Sequence, residues 1–115
     1  MSRSDAELLS DALEHLATLH RHLERADLDD ATVADAVSLR LASAIEALAA
    51  TSDEVRARVS GGRWHVIWAT RNRIAHGYAG IDHAIIRATV ERDLPALEAA
   101  LRREVQQALP DRPRS

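Results

Sequence analysis

Apolar residues recur at helical spacing along most of the chain. One stripe consists of Leu9, Leu13, Leu16, Leu19 and Leu23, and a second consists of Val37, Leu41, Ala44, Ile45 and Leu48. Because an α-helix takes roughly 3.6 residues per turn, each stripe occupies one helical face. We therefore predict a first helix from a capping box at Ser4 to about Arg25. After a polar loop over 26–31, we predict a second helix that opens near Thr32.

The rest of the chain predicts shorter helices and no strand. Ser52 can cap a short helix that reaches about Val59 and is broken by glycines at 61 and 62. A further helix is expected from residue 63 or 64 to about His76, where Gly77 favours an end. Asp82 is expected to cap a last long helix that either kinks or restarts at Pro95, with residue 93 as a new cap. The fold class is therefore all-α, a bundle of four to five helices.

Length and composition narrow the function classes. The 115 residues suit one domain over 1–115, with a frayed tail at 110–115. The chain has no cysteine, which excludes disulfides and thiolate metal sites. No pair among His15, His20 and His22 has the helical spacing of four that metal ligands prefer, so we expect no metal and no cofactor. Charges interrupt every apolar run before it reaches membrane-spanning length, and the N-terminus lacks an apolar signal region. We expect a cytoplasmic protein without a membrane segment.

Charge is distributed unevenly, although the net charge is only −3. Between Val55 and Ile81 the chain has no acid and five arginines, so this segment can attract a polyanion. We take Arg56, Arg63 and Arg73 as candidates for RNA contact. All fifteen basic residues are arginine. The use of arginine in place of lysine is explained equally by genomic base composition and by selection for phosphate contacts.

The segment 71–78 combines residues that handle phosphate and protons. Arg71 offers a fixed fork of donors for phosphate oxygens, and His76 can take and give protons near neutral pH. Asn72 and His76 lie four apart on one helical face, whereas Arg71 and His76 are roughly 140° apart, so Arg71 must reach round or the helix must loosen. One histidine supplies one proton role at a time. A two-fold dimer with this helix at its interface would supply both roles for attack by a ribose 2′-hydroxyl.

The pattern R-x4-H-x-Y, formed by Arg71, His76 and Tyr78, resembles the signature of the HepT family in the HEPN superfamily of small all-α ribonucleases. Segments 64–67, 80–82 and 93–95 fit as well, and the resemblance spans about residues 5–106. One departure is Ile45, where relatives often have glycine before the glutamate of the second helix.

This resemblance implies a HEPN-type bundle that forms a two-fold homodimer and acts as the toxin of a toxin–antitoxin pair. The implied activity is a metal-independent endoribonuclease acting on tRNA or mRNA. Arg71 and His76 would be catalytic, and Asn72 would support them. The implied partner is a minimal nucleotidyltransferase antitoxin that transfers AMP to Tyr78.

Each assignment has a structural alternative. His76 could simply suit the negative end of a helix dipole, and Arg71 could pair with Glu46 across the bundle while also serving catalysis. Trp64 and Trp68 are better explained by core or dimer packing than by stacking on bases. A non-catalytic HEPN adaptor, or a nucleotide-binding subunit of a nucleotidyltransferase complex, is the alternative function.

Overall fold

A computed structural model describes residues 3–77 and 82–108. Its helices are α1 (Arg3–Arg25), α2 (Ala31–Ala49), α3 (Asp53–Ser60), α4 (Trp64–Ala75), α5 (His83–Ala88) and α6 (Leu94–Ala108). A π-helical turn, Thr89–Asp93, joins α5 to α6 without a break, so these elements form one C-terminal helical segment. The described residues thus contain five helical segments and no strand, which confirms the all-α prediction.

The core lies mainly between α1 and α2, and α6 packs against α1 and α3. Its largest buried side chains include Leu9 and Leu16 of α1, Leu41 and Leu48 of α2, and Leu101 of α6. Full burial of such a side chain contributes about 1.5–3 kcal/mol relative to exposure. The two apolar stripes of the sequence therefore form the interior of the bundle.

Polar side chains and one glycine set the helix ends. Asp30 caps α2 by accepting a hydrogen bond from the backbone N–H three residues later at 3.1 Å. Ser52 caps α3 and Asp82 caps α5, as the sequence predicted. Gly61 ends α3 in the left-handed conformation with φ 59°, which glycine adopts without steric cost.

The predicted capping box at Ser4 is wrong. Arg3 and Ser4 already belong to α1, so Ser4 does not cap that helix. The buried carboxylate of Asp5 instead accepts a hydrogen bond from the backbone N–H of Ser52 at 2.9 Å. Asp5 therefore connects α1 to the beginning of α3.

The C-terminal segment neither restarts nor breaks at Pro95. Proline lacks an N–H, and its ring clashes with the carbonyl four residues earlier, which here is that of Glu91. The π-helical turn lies directly before this position, and the N–H of Leu94 donates to the carbonyl of Thr89, five residues back. The change of hydrogen-bond register lets the helical path continue through Pro95. The alternative cap at residue 93 is also wrong, because that residue lies inside the turn.

Helix α4 lies at the surface of the bundle. It packs against α2 and α3, and none of its side chains is fully buried. Its apolar face rests half-buried on the core through Trp64, Ile67, Trp68 and Ile74. The helix that carries segment 71–76 is therefore supported from one side and accessible from the other.

Candidate functional site

Arg71 reaches from α4 to α2 and is held by three neighbours. Its Nε and Nη2 both donate to Oε1 of Glu46, at 2.9 and 2.7 Å. Its Nη1 donates to Oδ1 of Asn72 at 3.3 Å, and its Cζ lies 4.9 Å from the ring centroid of Trp68. The ion pair with Glu46, which was the structural alternative for Arg71, is therefore present. The guanidinium is thus ordered on several sides before any substrate binds.

Solvent still reaches the Arg71–Glu46 pair. The Glu46 side chain is 50% exposed and the Arg71 side chain 25% exposed. Partly solvated pairs of this kind contribute about 1 kcal/mol or less to stability. A phosphate offers the same kind of acceptor oxygens as a carboxylate, so it can compete with Glu46 for the same donor fork.

His76 is positioned by the end of α4. The helix stops at Ala75, and His76 caps it with φ −104° and ψ 10°. Its backbone N–H donates to the carbonyl of Asn72 at 3.0 Å, and its ring Nδ1 lies 2.7 Å from the same oxygen. Because a carbonyl only accepts, Nδ1 must carry the hydrogen, and the neutral ring then has its lone pair on Nε2. This tautomer suits a proton acceptor.

Asn72 connects the two residues of the motif. Its side-chain oxygen accepts from Arg71, while its backbone carbonyl accepts from the ring of His76. The structure therefore brings Arg71, Asn72 and His76 into one cluster at the end of α4. The spacing of four predicted that Asn72 and His76 share a helical face, whereas the contact itself is made by the backbone carbonyl of Asn72.

Two tryptophans extend the cluster along α4. The rings of Trp64 and Trp68 are stacked, with centroids 5.8 Å apart and an interplanar angle of 27°. Arg56 lies over Trp64 at 5.6 Å, as Arg71 lies over Trp68. The rings thus contact each other and two guanidiniums, which favours a packing role over base stacking. The contact of Trp68 with Arg71 was not predicted, although their spacing of three signals it.

The three candidate RNA-binding arginines differ in their surroundings. Arg56 donates to the carbonyls of Ala49 at 2.9 Å and Thr51 at 2.6 Å, and it pairs with Asp53. These contacts complete the C-terminal end of α2, a structural role that the sequence analysis did not foresee. Arg63 and Arg73 are exposed, and neither forms an ion pair with a carboxylate within the described ranges.

Two of the remaining histidines serve helix packing. Nδ1 of His15 accepts from Arg40 of α2 at 3.1 Å, and Nε2 of His20 lies 2.5 Å from the Glu98 carboxylate of α6. Over residues 3–77 and 82–108, no group of three His, Asp or Glu side chains is arranged to hold a metal. No helix in these same ranges is long and apolar enough to cross a membrane. The predictions for Tyr78 and for the tail at 110–115 fall outside the described residues.

Comparison with known proteins gives one match. A family model described as Ribonuclease HepT-like matches residues 9–104, a range that contains all of α2, α3 and α4. No curated protein matches the chain significantly. No solved structure does so either.

Proposed function

Since the chain belongs to the Ribonuclease HepT-like family, we propose that it is the toxin of a toxin–antitoxin pair and cleaves tRNA or mRNA without a metal. One observation carries this proposal beyond family membership. Asn72 holds a guanidinium fork through its side chain and a histidine through its backbone, and the histidine tautomer leaves the lone pair on Nε2. The cluster thus combines Arg71, which can bind a phosphate, with His76, which can accept a proton.

The proposed reaction is internal transesterification of RNA. Nε2 of His76 accepts the proton of a ribose 2′-hydroxyl, and the 2′-oxygen attacks the adjacent phosphorus. The fork of Arg71 stabilises the negative charge of the phosphorane-like transition state. The bond to the 5′-oxygen then breaks, and that oxygen leaves with a proton from an acid. The products are a 2′,3′-cyclic phosphate and a 5′-hydroxyl.

The acid comes from a second copy of the chain. In a two-fold dimer, His76 of one protomer is the base while the same residue of the other protomer protonates the leaving oxygen. The exposure of α4 at its His76 end supports this arrangement, since His76 is exposed and no side chain of the helix is fully buried. Leu39, on the neighbouring α2, is 62% exposed and adds apolar surface suited to a partner.

The proposed regulator is a minimal nucleotidyltransferase that attaches AMP to Tyr78. An adenylyl group adds bulk and one negative charge only two residues from His76. It would crowd the cluster of Arg71, Asn72 and His76 and repel the phosphate of the substrate. Regulation would therefore act on RNA binding rather than on folding.

A non-catalytic role is the second candidate, and the Glu46 contact favours it. Nε and Nη2 of Arg71 both donate to Glu46. This ion pair between α4 and α2 explains the position of Arg71 without any catalytic role. The chain would then be an adaptor or nucleotide-binding subunit of a nucleotidyltransferase complex. In that case His76→Ala would leave growth and partner affinity unchanged.

Expression of the protein alone and together with the product of its neighbouring gene tests the proposal. RNA cleavage is measured in EDTA, and intact masses are recorded. We expect the protein alone to cut RNA and to arrest growth, and both effects to disappear in His76→Ala and Arg71→Ala. His65→Ala is the matched control, because His65 is an exposed histidine on the same helix.

The outcomes separate the two candidates and the mode of regulation. Cleavage by highly purified His76→Ala at the wild-type rate would rule out the ribonuclease proposal. A mass gain of AMP units on coexpression can be assigned without ambiguity, since Tyr78 is the only tyrosine. An unmodified mass with activity still inhibited would mean that the bound partner itself blocks access to Arg71 and His76.

A further inference from the structure

A groove of about 370 Å³ lies between α4 and the C-terminal segment. It is on the flank of α4 opposite Asn72 and His76. Helix α2 contributes Leu41 and Ile45 to its lining. Ile67 of α4 and Leu97 of α6 contribute further apolar side chains. The volume falls within the range of about 300–1,000 Å³ that is typical of small-ligand sites. The groove is therefore large enough for one planar organic group.

Arginines from three elements surround this apolar lining. Arg63 precedes α4, Arg92 lies in the π-helical turn, and Arg103 lies on α6. None of the three forms an ion pair with a carboxylate in the part of the chain that the structure describes. Among the residues that the structure describes, Asp93 is the one acid that lines the groove. The rim thus has an excess of positive charge around an apolar interior.

A fourth arginine of the lining is already compensated. Arg58 donates to the buried carboxylate of Glu104 at 2.6 Å, and this hydrogen bond raises the pKa of Arg58 above its ordinary value. Its role is to connect α3 to α6. The arginines at 63, 92 and 103 differ from Arg58, because no carboxylate of the described residues pairs with them, and their charges suit an anionic ligand.

The outer surface of α4 connects the groove to the catalytic cluster. With roughly 100° between successive residues, Thr70 and Val66 lie on the flank opposite Asn72 and His76. Arg73 is exposed between these flanks. The distance along the axis from His76 to the groove is roughly 9–15 Å, from a rise of about 1.5 Å per residue. No acid occurs on this helix, so a phosphate chain can cross it without repulsion.

We propose that this groove is a nucleotide-binding subsite for the single-stranded part of the RNA substrate. A base enters the apolar interior, while the flanking phosphates bind Arg63, Arg92 and Arg103. Unpaired bases can be turned out of the strand in this way, whereas a duplex keeps its bases stacked inside. The inference rests on the proposed function, and it adds a specificity site away from the reacting phosphate.

Two sets of variants test the subsite in a His76→Ala background, where RNA is bound but not cut. The first set removes one rim charge at a time with Arg63→Gln, Arg92→Gln and Arg103→Gln. Arg102→Gln is the matched control. Arg102 is adjacent to Arg103 in the sequence, but it pairs with Glu98 at 3.5 Å and does not line the groove.

The second set fills the groove without changing charge. Ala96→Trp places a large ring in the lining, while Ala99→Trp adds the same ring at an exposed position of α6 outside it. Thermal melting checks that each variant is folded. Binding is measured by fluorescence anisotropy with a labelled mixed-sequence single-stranded RNA at several salt concentrations.

We expect each rim variant and Ala96→Trp to weaken binding by about three- to tenfold. Each rim variant should also lower the slope of log affinity against log salt by about 0.7, the value for one phosphate contact on a single strand. Arg102→Gln and Ala99→Trp should stay within about twofold of the parent protein. An unlabelled duplex of the same sequence should compete poorly.

Three results would refute the proposal that the groove binds a nucleotide. They are unchanged binding in the rim variants, equal losses in Arg102→Gln and Arg103→Gln, and competition by the duplex as strong as by the single strand. Rim variants that lose affinity only for a protein partner would make the groove a protein interface instead. These results differ from failure of the proposed function, in which the unsubstituted protein neither binds nor cuts RNA.

Discussion

The substitution Glu46→Gln separates the structural role of Arg71 from its proposed role in phosphate binding. Gln keeps an oxygen that can accept from Nε and Nη2, which now donate to Glu46 at 2.9 and 2.7 Å. The contacts of Arg71 with Trp68 and Asn72 are not touched by the change. The guanidinium therefore keeps its position but loses the charged group that competes with phosphate.

The expected size of the effect follows from the exposure of the pair. Glu46 is 50% exposed, and ion pairs in such surroundings contribute about 0.2–1 kcal/mol. The free energy of unfolding should fall by no more than about 1 kcal/mol, which lowers the melting temperature by a few degrees. In the variant, the attraction between Arg71 and the charged carboxylate of Glu46 no longer competes with the binding of phosphate to Arg71. Since about 1.4 kcal/mol corresponds to tenfold in affinity, KM for RNA should fall by about 1.4- to 5-fold.

Steady-state cleavage kinetics and thermal melting measure both effects. We expect kcat within about twofold of the wild type, because the groups that act on the phosphorane remain. Asp29→Asn is the control, as it removes one negative charge from an exposed ion pair with Arg87 at 3.1 Å. A raised KM in Glu46→Gln would refute the competition argument, as would an equal fall in the control. A loss of kcat beyond about 100-fold would instead show that Glu46 takes part in the chemistry.

Three further substitutions test the positioning of Arg71 and the fold. Trp68→Leu removes the ring beneath Arg71 and should lower kcat by about two- to fivefold, given about 0.5–1 kcal/mol for such a contact, whereas Trp68→Phe should retain more activity. Equal rates for the two variants would refute this role. Leu41→Ala, at a fully buried core position, should lower the free energy of unfolding by about 2–5 kcal/mol in urea titrations; a loss below about 1 kcal/mol would contradict its burial. Asp5→Ala leaves the N–H of Ser52 without its acceptor and should cost about 1–3 kcal/mol, and Asp5→Asn should cost less, with equal losses speaking against the hydrogen bond.

Local patterns predicted most of the fold. The leucine stripes identified α1 and α2, and Ser52 and Asp82 marked the starts of α3 and α5, because helix faces and caps depend on residues only a few positions apart. The wrong prediction of a capping box at Ser4 arises because the contact that forms there is not local. Asp5 binds the backbone of Ser52, 47 residues away, and no local pattern contains that partner.

The region around Pro95 shows a second limit of local reasoning. Proline signals that the regular hydrogen-bond ladder must break, and this led to an expected kink or restart. A π-helical turn between Thr89 and Asp93 accommodates the missing hydrogen bond, so the helix does not restart at Pro95. Packing of Leu94 and Leu101 into the core keeps the segment in place on the bundle. That packing arises from the tertiary fold and is not visible in the sequence around Pro95.

The candidate site was predictable in part. Spacing alone placed Asn72 and His76 on one helical face, and the acid in an otherwise apolar stretch of α2 suggested a partner for Arg71. The groove was not predictable, because Arg92 and Arg103 reach it from the C-terminal segment through the tertiary fold. The modification of Tyr78 stays a prediction.

The role of His76 as the base that activates the 2′-hydroxyl is tested by cleavage of one RNA in EDTA, with the wild type and His76→Ala compared. A fully 2′-O-methylated RNA of the same sequence is the second substrate. We predict that the wild type cuts only the unmodified RNA and leaves 2′,3′-cyclic phosphate ends, because the 2′-hydroxyl is the nucleophile and His76 accepts its proton. His76→Ala should leave both substrates intact. Cleavage of the methylated RNA, or an undiminished rate in His76→Ala, would contradict the account.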